Sequence, residues 1–434
     1  MNVRRVAENY RAICIQEVKN CQFWDVVVLT ASDEQQKIYY EGFLEARKRT
    51  GLLPFRNSCT YMVVADPPTN TTCRIGGGGA TFWTLAGVKT ELMKQGYTGS
   101  DIFSNIRVLM IHSGGYSSRN PNLSATGKIF SPIPSFIFPG LTVPTLFDFK
   151  MAQYAPIAEK CSPGLMMLAG DVCEVFDPFG ECFSFVQDGC IGIGHLDNYK
   201  YAASHGVYVV DIEDFSYDKT MKCKQFCHKY QPIELNKVGA NVAGIVGGVD
   251  DLCIVDSDYF LSANIVTKLN SFYEASPGIL SLGVEIDCYG DFLSCFEGSE
   301  SLTPSDRIKQ CQSTNLQNIR MSLWNLLKNE NLFVIVPKQQ TFYHIGTMTE
   351  YSNYLSKGMK ELLYGDIDQK ETDGERVIAS NLRGDCSIGR SAILSSTLQD
   401  TKVGNGSVVE FSSMHIPQFC AGAGPLSTSR VMLS

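Results

Sequence analysis

Short, wholly apolar runs separated by amphipathic stretches constrain this chain more than any other feature. Asp25-Val-Val-Val-Leu29, Val108-Leu-Met-Ile111, Gly206-Val-Tyr-Val-Val210 and Asp251-Leu-Cys-Ile-Val255 are short and lack polar alternation, so they read as strands covered on both faces. Between them the period changes. Ile265, Val266, Leu269, Phe272 and Tyr273 make one apolar stripe behind Ser262 as N-cap, and Ile319, Leu323, Leu326 and Leu327 make another, the spacing of a helix with one buried face. Such alternation predicts an α/β fold with a mainly parallel sheet. Ligands of these sheets sit beyond the carboxyl ends of the strands.

A chain of 434 residues, 44% apolar and 19% charged, is long enough for two or three domains with full cores. Its formal net charge of −8 argues against a nucleic-acid partner, because phosphate backbones are held by basic surface. Arg4, Arg5, Glu8, Arg11, Glu17 and Lys19 interrupt the N-terminal stretch, which leaves no apolar core for a signal peptide or a membrane span. The sixteen cysteines are scattered, with no paired CxxC units. They read as reduced thiols of a cytoplasmic protein rather than a zinc ribbon or a disulfide framework.

Residues 1–24 read as an N-terminal extension and 25–364 as the α/β domain. Charge crowds into Asp366–Arg376, around Gly374, which suggests a linker over 365–376. Beyond it, Cys386-Ser-Ile-Gly389, Thr401-Lys-Val-Gly404 and Ser407-Val-Val-Glu-Phe411 have the aliphatic-glycine texture of a short left-handed β-helix over 377–421. Residues 422–434 read as a flexible tail.

Carboxylates are missing from two glycine-rich segments of this acidic chain, Pro67–Thr90 with Arg74 and Lys89, and Ile102–Phe147 with Arg107, Arg119 and Lys128. Depletion of negative charge beside glycines suits a small anionic ligand. In the second segment Gly114 and Gly115 follow an apolar strand, where backbone N–H groups can approach phosphate, with Arg119 and Lys128 placed to neutralise a departing anion. This is no Walker A loop, since Ile129 follows Gly127-Lys128 where Ser or Thr is needed. In the first segment, Gly76, Gly77, Gly78, Gly79, Ala80 and Thr81 open a helical pattern and offer a second anion site at a helix N-terminus. Asp171 ends the run Leu168-Ala-Gly-Asp171 and suits Mg²⁺, which takes one or two carboxylates along with substrate phosphates. Capping a turn is its competing role. Asp256 and Asp258 read as turn residues.

These segments resemble, in order, the GT-A-like sugar nucleotidyltransferases: a glycine loop with Arg and Lys, Gly170-Asp171, His228-Lys229, Glu285-Ile286 and His344-Ile-Gly-Thr347. Ile75-Gly-Gly-Gly-Gly-Ala-Thr81, Ile111-His-Ser-Gly-Gly115, Glu285-Ile-Asp-Cys-Tyr-Gly-Asp291 and Phe342-Tyr-His-Ile-Gly-Thr347 together resemble the fucose-1-phosphate guanylyltransferase family. The resemblance spans roughly Asp25 to Leu355 and implies GTP and fucose 1-phosphate as substrates, with Mg²⁺ as cofactor. It implies Arg119 and Lys128 at the triphosphate, Asp171 on Mg²⁺, Lys229 on the sugar phosphate and Glu285 on sugar hydroxyls. Bacterial relatives place a second metal-binding carboxylate where this chain has His344. A weak Mg²⁺ ligand, a phosphate contact and a packed histidine are its three possible roles. Another nucleotidyltransferase of the same fold, such as a uridylyltransferase, and a sugar-nucleotide-binding protein without turnover are the competing functions.

Overall fold

The computed structural model describes residues 3–15, 22–55, 58–69, 73–99, 101–115, 117–133, 144–181, 183–247, 251–296, 313–357 and short runs between 375 and 429. The expected linker 365–376 lies almost wholly outside the described residues, as does the tail 422–434 apart from Thr428–Ser429. The strands are β1 (Val26–Ala31), β2 (Thr60–Ala65), β3 (Arg107–His112), β4 (Gly164–Ala169), β5 (Val172–Phe176), β6 (Cys190–Ile193), β7 (His195–Asn198), β8 (Gly206–Val210), β9 (Thr220–His228), β10 (Leu252–Val255), β11 (Tyr259–Ser262), β12 (Leu332–Ile335) and β13 (Gln340–His344).

Eleven of these form one sheet, ordered β2-β1-β3-β4-β11-β6-β12-β9-β8-β10-β7, while β5 pairs with β13. The sheet is mixed, where the strand–helix alternation predicts a mainly parallel one. Pairing is parallel through β2-β1-β3-β4 and again at β6–β12, but antiparallel from β9 through β8 and β10 to β7. The connections explain the change. Helices Glu34–Arg49, Gly76–Lys94 and Leu146–Ala158 carry the chain back between the parallel strands, whereas shorter connections such as 211–219 leave antiparallel neighbours. β1 is buried at every position, as expected for a strand covered on both faces.

The helix Ala263–Ala275 buries Ile265, Val266, Leu269 and Tyr273 on the predicted stripe. Ser262 stands at its N-cap position without capping it; the hydroxyl donates instead to the Asp188 carboxylate. Val6, Ala7, Tyr10 and Ile13 of the N-terminal helix Val3–Cys14 share a core cluster with the helix Leu146–Ala158. Toward the C-terminus, short strands stack in parallel at offsets of sixteen residues, with Glu375 opposite Ser391, Asn381 opposite Thr397 and Ala392 opposite Val408. Tyr351, on the helix Met348–Lys357, donates a 2.7 Å hydrogen bond to Glu410 and docks this region behind the Gly346-Thr347 turn.

Candidate active site

β3 and β4 are parallel neighbours with His112 opposite Ala169, so the segments after them emerge together at the carboxyl edge. Tight packing shapes both. Gly170 donates to the His112 carbonyl at 2.9 Å, and a Cβ there would lie 2.5 Å from that oxygen, which is why glycine precedes Asp171. Thr30 on β1 accepts from the N–H groups of Ser113 and Gly114, and Tyr40 donates to the Ser113 carbonyl. Gly127 has φ +72°, and a Cβ on it would overlap the Tyr40 hydroxyl. That turn delivers Lys128.

Two cavities meet here. One of about 210 Å³ is lined by Arg74, His112 to Gly115, Ser117 to Arg119, Lys128, Gly170 and Asp171. The larger, about 610 Å³, shares Arg119 and Asp171 and continues past Lys200, His205, Lys229, Asp256, Ser257 and Asp287. Lys128 Nζ lies 2.9 Å from Asp171 Oδ2, and His344 Nε2 lies 3.5 Å from the same oxygen. His344 Nδ1 then faces Glu350 at 3.4 Å, so charges alternate along Lys128, Asp171, His344 and Glu350. Burial alone would raise the Asp171 pKa, but hydrogen bonding from His344 and the Lys128 charge hold it well below the usual carboxylate range. For His344, burial would lower the pKa, and its bonds to Asp171 and Glu350 outweigh this and raise it to about 9. The structure adds a fourth role to the three open to His344, an ion-pair bridge between Asp171 and Glu350.

Backbone contacts stitch this charge chain together. Ile345 N–H donates to the Asp171 carbonyl and Met348 N–H to the Arg119 carbonyl, at 2.8 and 2.9 Å. Glu350 accepts from the N–H and hydroxyl of Thr347, both at 2.9 Å. Behind Asp171, the wholly buried Lys150 and Asp258 pair at 3.0 Å. Asp258 Oδ1 accepts the Ala169 N–H at 2.8 Å, and the Tyr154 hydroxyl bridges Asp258 and Glu174. Burial first, and the Asp258 charge second, raise the Glu174 pKa well above the carboxylate range, so one carboxylate balances Lys150. The network anchors the chain on both sides of Asp171. Lys150, on the fully buried helix Leu146–Ala158, was its one sequence signal.

The structure thus brings Gly114, Gly115, Arg119, Lys128, Asp171 and His344 together. Lys229 directly follows β9 with φ +58°, an uncommon backbone for a non-glycine residue, and lines the larger cavity. Glu285 does not join it. It is exposed, is absent from the described residues lining either cavity, and lies against the glycine run, where a Cβ on Gly76 would meet its Cγ at 2.6 Å. The run from Gly76 to Gly79 is itself covered by chain. Cβ atoms at Gly76, Gly77 and Gly78 would fall within 2.3 to 2.8 Å of Ile286 or Cys288 atoms, and Gly78 N–H donates to the Ile286 carbonyl at 2.7 Å. Ala80 is buried, and Thr81 ties the helix to the site through a 3.1 Å contact with His112 Nε2.

A fucose pyrophosphorylase domain model matches residues 100–422. The chain belongs to the fucose pyrophosphorylase family. It is 30% identical to a human fucose-1-phosphate guanylyltransferase over 91% of this chain, and 28% identical to the mouse counterpart over 95%. It spans 64% of the human protein's length and 69% of the mouse protein's. A bifunctional fucokinase/GDP-fucose pyrophosphorylase from Arabidopsis thaliana is 31% identical over 43% of this chain and 19% of its own length. The family match thus includes every residue lining the larger cavity, and of the smaller one omits only Arg74.

Asp171 is the carboxylate common to both cavities. Among the described residues no group of three or more His, Cys, Asp or Glu side chains could cage a metal. A lone ionised carboxylate fits Mg²⁺, which draws its other ligands from phosphates and water, and does not fit a metal held by protein alone.

Proposed function

We propose that this protein is a guanylyltransferase that joins L-fucose 1-phosphate to GTP, giving GDP-L-fucose and pyrophosphate. The observation that carries the reading is the pair of adjoining cavities with Arg119 and Asp171 in common: two polyanions bound there would meet at those residues. The names of the human and mouse relatives supply the identities of sugar and base. On this reading the parallel half of the sheet is GT-A-like, and the stacked C-terminal strands are coils of a left-handed β-helix.

The triphosphate occupies the smaller cavity, against the Gly114-Gly115 backbone, Arg119 and Lys128. The helix that opens at the Gly76–Thr81 run backs the glycine loop through the Thr81–His112 contact. The sugar phosphate enters the larger cavity, its phosphate on Lys229. One of its oxygens attacks the α-phosphorus of GTP, the α–β bridging P–O bond breaks, and pyrophosphate leaves with the electron pair. The attacking phosphate is already anionic, so no general base is needed. Lys128 and Arg119 stabilise charge growing on the leaving group, and the Lys150–Asp258 network keeps Asp171 in register. Asp171 would hold a Mg²⁺ delivered with the triphosphate, which when bound neutralises phosphate charge. The described cysteines are free, which supports a cytoplasmic site of action; no described helix is long and apolar enough to cross a membrane.

The test is a panel of GTP, UTP and ATP against fucose, galactose and glucose 1-phosphates, scored for pyrophosphate. Release greatest with GTP and fucose 1-phosphate is expected. Preference for UTP would transfer the reading to a uridylyltransferase, and no release with any pair would leave a binding protein.

A further inference from the structure

We propose that Asp256 and Ser257 form the subsite that reads the sugar ring, the hydroxyl-recognition role that the resemblance would give to Glu285. The inference rests on the larger cavity being the sugar-phosphate site.

Ser257 is 4% exposed, lines that cavity, and its hydroxyl has no hydrogen-bond partner. A buried hydroxyl is costly to leave unpaired; Ser257 is part of the cavity wall with its hydroxyl turned under the surface, and a rotation about its Cα–Cβ bond would pair it with a bound hydroxyl. Asp256 is fixed beside it. Its N–H donates to the Gly206 carbonyl at 2.9 Å, and its Oδ1 accepts the Gly206 N–H at the same distance. The second oxygen lies beside Gly206 and the Phe226 ring: a Cβ at that glycine would be 2.5 Å from Oδ2 and 2.1 Å from the ring. Asp256 therefore presents an acceptor on a rigid mount next to a hydroxyl that can donate or accept.

Two neighbouring charged groups suit other roles. Asp287 Oδ1 accepts the N–H groups of Tyr289 and Gly290 at 2.8 and 2.6 Å, which shapes its own turn. Lys229 is a point charge suited to phosphate. A neutral polyol needs instead paired donors and acceptors held without solvent, which Asp256 and Ser257 supply.

The experiment titrates fucose 1-phosphate and inorganic phosphate into the wild type, Ser257→Ala, Ser257→Thr and Asp256→Asn. In parallel, kcat/KM is measured for fucose 1-phosphate and its monodeoxy analogues at saturating GTP. Ser257→Ala is expected to weaken fucose 1-phosphate about five- to twenty-fold while inorganic phosphate binds as before, and Ser257→Thr to restore most of the loss. One monodeoxy analogue should lose its sensitivity to Ser257→Ala, because the hydroxyl being read is already gone. Equal weakening of sugar phosphate and phosphate would overturn the inference, as would discrimination that survives in Ser257→Ala and Asp256→Asn but is lost in Glu285→Gln. Ser257-dependent binding without pyrophosphate release from GTP would uphold the ring subsite and refute the transfer reaction. Pyrophosphate release indifferent to both residues would do the reverse.

Discussion

Two glycine-rich segments look alike in the sequence and differ in what their glycines do. In Gly76 to Gly78 the missing side chains make room for the chain itself: Ile286 and Cys288 fill the space where Cβ atoms would stand. In the loop after β3, Gly115 has φ +134° and nothing within 4 Å of a Cβ position, and the loop opens onto a cavity walled by Arg119 and Lys128. Glycine signals that something must come close. Whether that is a ligand or another strand of the same protein depends on residues some two hundred positions away. The first segment is therefore held by packing and the second by charge.

The largest effects should fall on the charged side. Asp171→Ala should abolish pyrophosphate release while circular dichroism shows the fold intact, and Lys128→Ala should lower kcat by about 10²–10³ in steady-state assays. A Lys128→Ala enzyme with unchanged kcat and weaker GTP binding would move Lys128 from stabilising the leaving group to ground-state recognition.

On the packed side, Gly76→Ala should cost about 2–4 kcal/mol in urea unfolding, because residue 76 has φ +72° and a Cβ there would lie 2.3 Å from the Ile286 carbonyl. A cost below 1 kcal/mol would mean that the 284–288 segment yields easily, and that the run is open to a ligand after all.

A pH series separates the two regions. The folded-state pKa of His344, about 9 against an ordinary 6.5, makes its ion pairs fully stabilising below the ordinary value, and that contribution fades as pH rises through 9. In metal-free protein, His344→Gln should cost about 1–3 kcal/mol near pH 6 and close to nothing near pH 10, whereas the Gly76→Ala cost should be alike at both. An equal loss from His344→Gln at both ends would assign that histidine to packing. The smallest effect belongs to Gly244→Ala, exposed and with nothing within 4 Å of its Cβ position, which should change stability by less than about 1 kcal/mol.

Local pattern alone determined a good deal. Apolar runs marked β1, β3, β8 and β10, and the 3.6-residue period marked the helices Ala263–Ala275 and Thr314–Leu327, because burial of one face or two is written into neighbouring residues. Gly114, Arg119, Lys128 and Asp171 could be picked out because each follows or closes a strand, where the fold class puts ligands. Strand direction beyond β4 was not legible, since parallel and antiparallel strands buried on both faces have the same composition. Nor were the partners of Lys150, 108 residues from Asp258, or the buried hydroxyl of Ser257, which in sequence is one more turn residue. Tertiary structure alone decided that Glu285 lies with the glycine run and Asp256 in the cavity. A carboxylate's role depends on which charges, N–H groups and empty space surround it, and these come from segments that only folding brings together.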